Sequence, residues 1–146
     1  MSDKERFRIY IASFLILTKD KKILLQRRTN TGYEDGNYSL VSGHMEGGET
    51  AVQSIIREAK EEIGITLKPN DLQVVHVLHR LSSDREYINV FLKTDRWEGE
   101  IINAEPEKCD DLRWFLPDEL PENMIRGVRF ALENIAKGTF YSELGW

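Results

Sequence analysis

Three glutamates, Glu58, Glu61 and Glu62, lie within five positions of one another in the stretch SGHMEGGETAVQSIIREAKEEIGI, which runs from Ser42 to Ile65. On a helix, spacings of three and four project their carboxylates from neighbouring positions of one stripe. Like charges so placed weaken a helix by roughly 0.2–0.5 kcal/mol per pair, so an offsetting charge is expected. A hard divalent cation supplies one, because magnesium prefers oxygen ligands and is held by a few carboxylates together with waters and substrate phosphates. The competing reading is a solvated face neutralised by Arg57 and Lys60.

The element that must position these acids can be delimited from its own residues. Thr50 followed three places later by Gln53 has the form of a capping box, which makes Thr50 the N-cap. Gly64 marks the far end, where a helix commonly closes on a residue of positive φ. Between them Val52, Ile55, Ile56, Ala59 and Ile63 recur at helical spacing and give one apolar face to lie on a core. The acids occupy the other side.

The pattern as a whole resembles the Nudix box, the signature G-x5-E-x7-R-E-U-x-E-E-x-G-U of the Nudix (MutT-like) hydrolases, where U is a bulky aliphatic. Gly43, Glu49, Arg57, Glu58, Ala59, Glu61, Glu62, Gly64 and Ile65 fill it in register, and only Ala59 departs, being aliphatic but small. The resemblance implies an α+β fold, an α/β/α sandwich with a mixed β-sheet in which the box forms loop, helix and loop. It implies Mg²⁺, with Mn²⁺ as a substitute, held by Glu58, Glu61 and Glu62, to which the backbone carbonyl of Ser42 adds a ligand. Arg57 and Glu49 become a charged pair that fixes the loop against the helix, and Glu58 a candidate base.

The chemistry so implied is attack of water on a phosphorus of a diphosphate, in a nucleoside triphosphate or another nucleoside diphosphate derivative. Oxidised deoxynucleotides of the MutT type are the default substrate. The SQPWPFPxS array of the family's NADH-cleaving members is absent. The alternative is a Nudix-like sensor that binds a nucleotide or sugar-nucleotide without turnover. An intact set of three glutamates favours the enzyme, since a pure binder has no need of all of them.

Composition narrows the remaining classes. With 146 residues the chain is read as a single domain, residues 1–146. A net charge of −5 argues against a nucleic-acid polymer or a membrane surface as partner and leaves a small-molecule nucleotide. The apolar run Ile9 to Leu17 is too short to span a bilayer, and the mixed-charge start MSDKERFR lacks the form of a secretory signal, so a cytoplasmic location is expected. Cys109, the lone cysteine, excludes an internal disulfide and reads as packing.

The flanking chain supplies scaffold and further candidates. Phe7 to Thr18 and Ile23 to Leu25 read as a strand hairpin turning at Lys19 to Lys22. Arg27 and Arg28 form either a phosphate clamp or ordinary salt bridges, and strand alternation lets at most one of them enter a given cleft. Tyr33 and Tyr38 stack on a base or pack, and His44 touches phosphate or fills a turn. Strands are expected at Tyr38–Val41, Leu72–Leu81, Tyr87–Trp97 and Leu112–Leu116, with a polar loop at residues 82–86. His76 and His79 fall on opposite faces of their strand, poor geometry for a shared zinc.

An acidic loop from Asn103 to Asp111 offers Glu105 or Glu107, by family analogy, as a helper of the metal or the attacking water, with plain solvent exposure as the other reading. Pro121 to Lys137 carries a helical apolar stripe. The tail, with Phe140, Tyr141, Leu144 and Trp146, either folds back or contributes to a homodimer.

Overall fold

The computed structural model describes residues 4–83 and 85–146. Residues 1–3, part of the mixed-charge start, and Asp84, in the polar loop, lie outside the described residues. The β-branched and aromatic opening forms β1 (Tyr10–Lys19), which turns through Asp20 and Lys21 into β2 (Lys22–Arg28). Both turn residues take positive φ, 51° and 64°, the geometry whose twist matches that of two paired strands. β3 (Tyr38–Ser39) and β4 (Val41–His44) deliver the chain to α1 (Ala51–Ile63). There follow β5 (Gln73–Leu81), β6 (Glu86–Thr94), β7 (Cys109–Phe115), α2 (Arg126–Ala136) and β8 (Tyr141–Leu144).

These strands join in one mixed sheet of order β3-β2-β1-β6-β5-β8, with β4 also paired to β1 and β7 to β2. β1 is parallel to β6 and β5 to β8, and the other pairs are antiparallel. β1 serves two neighbours on one side: Ala12 to Leu15 pair with β4, and Thr18 and Lys19 with β2.

Alternation along the strands divides the core into two layers, because successive side chains point to opposite faces. Leu15, Leu17, Leu24, Val41 and Leu92 pack with Ile55, Ala59 and Ile63 of α1. Ile16, Ile23, Leu25, Leu78 and Phe91 pack with Val128, Ala131 and Leu132 of α2. Helix, sheet and helix therefore form the expected α/β/α layers. The small Ala59 is fully buried, as are Ile55 and Ile63, and burial of each isoleucine stabilises by roughly 1.5–3 kcal/mol.

One expectation changes, and one open reading is answered by the first of its alternatives. The second helix begins at Arg126 rather than near Pro121. Upstream the backbone pairs with the sheet edge instead: Tyr38 N donates to Asn123 O at 2.7 Å, and Ile125 N to Tyr38 O at 3.0 Å. Met124 and Ile125 still join the core, which is why the apolar stripe ran on past the true helix start. The tail, for which two readings stood open, folds back as β8 beside β5. No described helix is long and apolar enough to cross a membrane.

His76 is fully buried, with Nδ1 2.8 Å from Thr139 O and Nε2 2.7 Å from Ser142 Oγ. His79 stands apart from it, 3.6 Å from Glu86 and against the Trp146 ring. Cys109 is buried.

Candidate active site

Local chemistry fixes α1 at both ends. Thr50 Oγ1 accepts from Gln53 N at 3.1 Å while Thr50 N donates to Gln53 Oε1 at 2.9 Å, completing the capping box. Gly64, at φ 74°, closes the helix with its N–H on Lys60 O. The preceding loop is clamped by Glu49, whose carboxylate accepts from Arg57 Nη2 at 2.8 Å, Arg57 Nε at 3.2 Å and Glu46 N at 2.7 Å. Those bonds, Arg57 foremost, hold the Glu49 carboxyl down at about 2. Arg57 is raised in turn, chiefly by Glu49 and despite partial burial. Its Nη1 also reaches Glu58 at 2.7 Å and lies 3.6 Å from Glu61, so one guanidinium orders three acids.

Gly43 on β4 makes room for the helix. A Cβ built there would stand 2.1 Å from Glu58 Oε1, so any larger residue displaces the carboxylate. One turn on, half-buried Glu62 accepts from Gln26 Nε2 at 2.5 Å through Oε1, and its Oε2, sealed from solvent, has no partner. Burial, then the neighbouring Glu58, push the Glu62 carboxyl well above the usual carboxylate range, against the pull of Gln26. Glu61 is half exposed.

The three glutamates share a cavity of about 210 Å³ with Gln26, Arg27, Arg28, Ser42, Glu105 and Lys108. Among the described residues no three acids, histidines or cysteines already form a ligand array. Magnesium does not demand one, since it is usually bound through one or two carboxylates and completes its shell with water and phosphate. An all-oxygen donor set, crowded acids and the orphaned Glu62 Oε2 fit such an ion.

The other candidates sort by environment. Arg27 forms an ion pair with Asp110 at 2.7 Å, and Arg28 Nε donates to Tyr33 O at 2.7 Å. Both arginines line the cavity, contrary to the expectation that alternation admits at most one. The ladder between β2 and β7 slips between Arg27 and Arg28, and a bulge of this kind breaks the alternation. Tyr38 is not available for base stacking: its ring is 3% exposed, edge-on to Phe115, and its hydroxyl donates to Asp111. Tyr33 is exposed, with Arg28 over its ring.

His44 sits in strand pairing opposite Ala12 rather than in a turn, with its ring 5.8 Å from that of Tyr87. Of the two loop acids, Glu105 lines the cavity, and its N–H is anchored on Asn103 Oδ1 at 3.2 Å. Glu107 is exposed.

Reasoning from the sequence missed Gln26, Ser39 and Asn89. The signal was a polar residue at an inward position: Gln26 alternates with the core residue Leu24, and Asn89 stands between Tyr87 and Phe91 on one face of β6. Ser39 and Asn89 line a second cavity of about 700 Å³, which meets the first at Ser42 and Arg28, residues common to both walls.

Comparison with known proteins agrees with this architecture. The NUDIX domain pattern matches residues 7–135. The NAD-capped RNA hydrolase NudC of Stutzerimonas stutzeri is 30% identical over 120 residues, covering 78% of this chain but only 39% of that protein. The 8-oxo-dGTP diphosphatase of Escherichia coli is 31% identical over 93 residues, 64% of this chain and 70% of that one. The crystal structure of a MutT NUDIX hydrolase from Burkholderia pseudomallei superposes with a TM-score of 0.79 at 25% identity, over 87% of this chain and 98% of that one. With its box in register, its mixed sheet between two helices and a pattern match over most of its length, the chain belongs to the Nudix family of hydrolases acting on diphosphate bonds.

Proposed function

We propose that this chain is a Mg²⁺-dependent pyrophosphohydrolase that cleaves the diphosphate linkage of a nucleoside triphosphate or another nucleoside diphosphate derivative, with oxidised deoxynucleotides of the MutT type first among the candidates, and that it acts in the cytoplasm. The observation that carries the reading is Glu62, a half-buried side chain with one buried carboxylate oxygen unpartnered, held by Gln26 beside Glu58. Folding alone gives no return on such a group, because an unpaired buried polar atom costs about 1–3 kcal/mol. The names of the relatives, a NAD-capped RNA hydrolase and an 8-oxo-dGTP diphosphatase, support nucleotides as the substrate class.

Glu58, Glu61 and Glu62, with the Ser42 carbonyl, would hold the Mg²⁺ or a Mn²⁺ in its place, which when bound withdraws charge from a pyrophosphate and lowers the pKa of its water. Arg57 orients Glu58 from one side while Gly43 leaves it space on the other. Arg27 and Arg28 line the same cavity and would meet phosphate oxygens there, since a guanidinium matches the geometry of the anion. Glu58 accepts the proton of the attacking water as this oxygen bonds to phosphorus and the bridging P–O bond breaks. Glu105 is the fourth acid lining the cavity and orients the same water.

Phosphate or pyrophosphate release from a nucleotide panel should require Mg²⁺, and Glu62→Gln should remove most of it. A Glu62→Gln protein that still binds metal and turns over like wild type overturns the assignment. A ligand-induced melting shift without turnover of any substrate points instead to the nucleotide or sugar-nucleotide sensor.

A further inference from the structure

The strand order ends on one side at β3, whose backbone the chain engages itself, through Tyr38 N on Asn123 O and Ile125 N on Tyr38 O. At the other end stands β8, paired among the described residues with β5 alone. It is short, but neither proline, lysine nor a bulge blunts it, the devices that keep an edge strand from accepting another chain. After Leu144 the chain turns inward at Gly145, φ 91°, and Trp146 Nε1 donates to His79 O at 3.1 Å. The tail therefore bends back over β5 and does not run along the outer edge of β8.

Which backbone groups face outward follows from the ladder. Phe140 O accepts from Val77 N at 2.9 Å, and Tyr141 to Leu144 pair in sequence with Val77 to Arg80. Backbone groups of successive strand residues turn to opposite edges, so Phe140, Ser142 and Leu144 face β5 while Tyr141 and Glu143 present N–H and C=O to the open side. A second copy of the same strand, antiparallel and related by a two-fold axis at Ser142, sets Tyr141 against Glu143 of that copy and Glu143 against its Tyr141. Each such pair exchanges both backbone bonds, so every outward group finds a partner.

The side chains agree with that register. Tyr141 is 48% exposed, and its hydroxyl, which donates to Glu143 of its own strand at 2.7 Å, can meet the same carboxylate on the second copy instead. Phe140, 56% exposed, falls by alternation on the face of Ser142 and Leu144 and lies opposite Leu144 of that copy. A phenol against a carboxylate and an aromatic ring against a leucine are cross-strand pairs of the kind that stabilise sheets. The edge is complementary to itself, which commits it to a second copy of the chain.

We propose that β8 is the self-association edge of this protein, on which two copies pair antiparallel about a two-fold axis at Ser142 and join their sheets into one. The contact is small, so the dimer is reversible. Tyr141 and Glu143 line neither cavity, so each copy keeps its own site and hydrolysis per chain should not depend on the pairing.

Sedimentation equilibrium of the full chain, from about 1 μM to about 1 mM, reads the association. Wild type should pass from the mass of one chain to twice that mass across the range. Tyr141→Glu sets carboxylate against carboxylate on both sides of the axis and should raise the dimer dissociation constant about tenfold or more at low salt, and by less at high salt. Tyr141→Lys sets an ammonium against each carboxylate and should leave the dimer as tight or tighter. Both replace an exposed side chain and should melt like wild type at low concentration. Glu143→Pro removes an outward N–H without taking a bond from the ladder to β5, and should leave the chain monomeric. If it melts lower, the two Tyr141 variants carry the test alone.

A wild type that stays monomeric throughout or assembles beyond a dimer overturns the proposal, as does a Tyr141→Glu protein that associates like wild type. A Tyr141→Lys protein weakened as much as Tyr141→Glu overturns it too, because position 141 would then face its own copy rather than Glu143.

Discussion

Gly43 shows how much of the site depends on single atoms. No positive φ requires glycine there, so Gly43→Ala introduces no backbone strain, only a methyl group 2.1 Å from Glu58 Oε1. The carboxylate must move, and a displacement of about 1 Å in a reacting group can cost about 10²-fold in rate. Gly43→Ala should therefore keep its circular dichroism spectrum and melting temperature near wild type while kcat/KM falls by about that factor. At this scale the sequence was legible where the signal was local. Glu58, Glu61 and Glu62 share a cavity because their spacing on one helix sets them together. Gln26, which holds Glu62 from 36 positions away, could not be found, because only the sheet pairing brings β2 to the acid face of α1. Tyr38, read as stacking on a base or packing, packs, and its partner could not be found for the same reason. It follows a polar loop in the chain, yet its hydroxyl finds Asp111 on β7 and its ring is sealed in the core.

The element that holds the acids is the one whose ends were plainest. Thr50→Ala removes the acceptor for Gln53 N and should cost about 1 kcal/mol in a urea titration, the usual loss for such a cap. The loop before it carries a pH signature. Glu49 falls from an ordinary value of 4.5 to about 2 on folding, mainly through Arg57, so the folded state holds fewer protons than the unfolded one between those values. Its stabilisation is complete above pH 4.5 and is lost as pH falls through about 2. Glu49→Gln should melt lower than wild type at neutral pH, lose less on acidification, and meet the wild-type curve near pH 2. Parallel curves at every pH would refute the assignment. α2 teaches the opposite lesson about legibility. Met124 and Ile125 have helical spacing with Val128 and Leu132, but their backbone is engaged by Tyr38 at the sheet edge, and side-chain periodicity cannot report where a backbone finds its partners.

On the scale of the whole molecule the last strand is bound to the rest by more than its ladder. Apolar side chains in the tail argued that it packs somewhere, but a parallel pairing with β5 joins segments more than sixty positions apart and leaves no local trace. What fixes it is His76, fully buried beneath it, whose Nδ1–H donates to Thr139 O and whose Nε2 then accepts from the Ser142 hydroxyl at 2.7 Å. Ser142→Ala removes that hydroxyl and strands a ring nitrogen where water does not reach, a loss of about 1–3 kcal/mol that urea unfolding would read. Hydrolysis per folded molecule should stay unchanged, because neither residue lines the two cavities. The double variant His76→Phe with Ser142→Ala separates bonding from packing. Replacing both polar partners with apolar groups of similar shape is close to neutral, and the Thr139 carbonyl alone then loses its donor, so the double variant should recover part of the stability lost in the single one. If it is at least as unstable as Ser142→Ala, the hydrogen bond between His76 and Ser142 contributes no more to the strand's attachment than the one between His76 and Thr139.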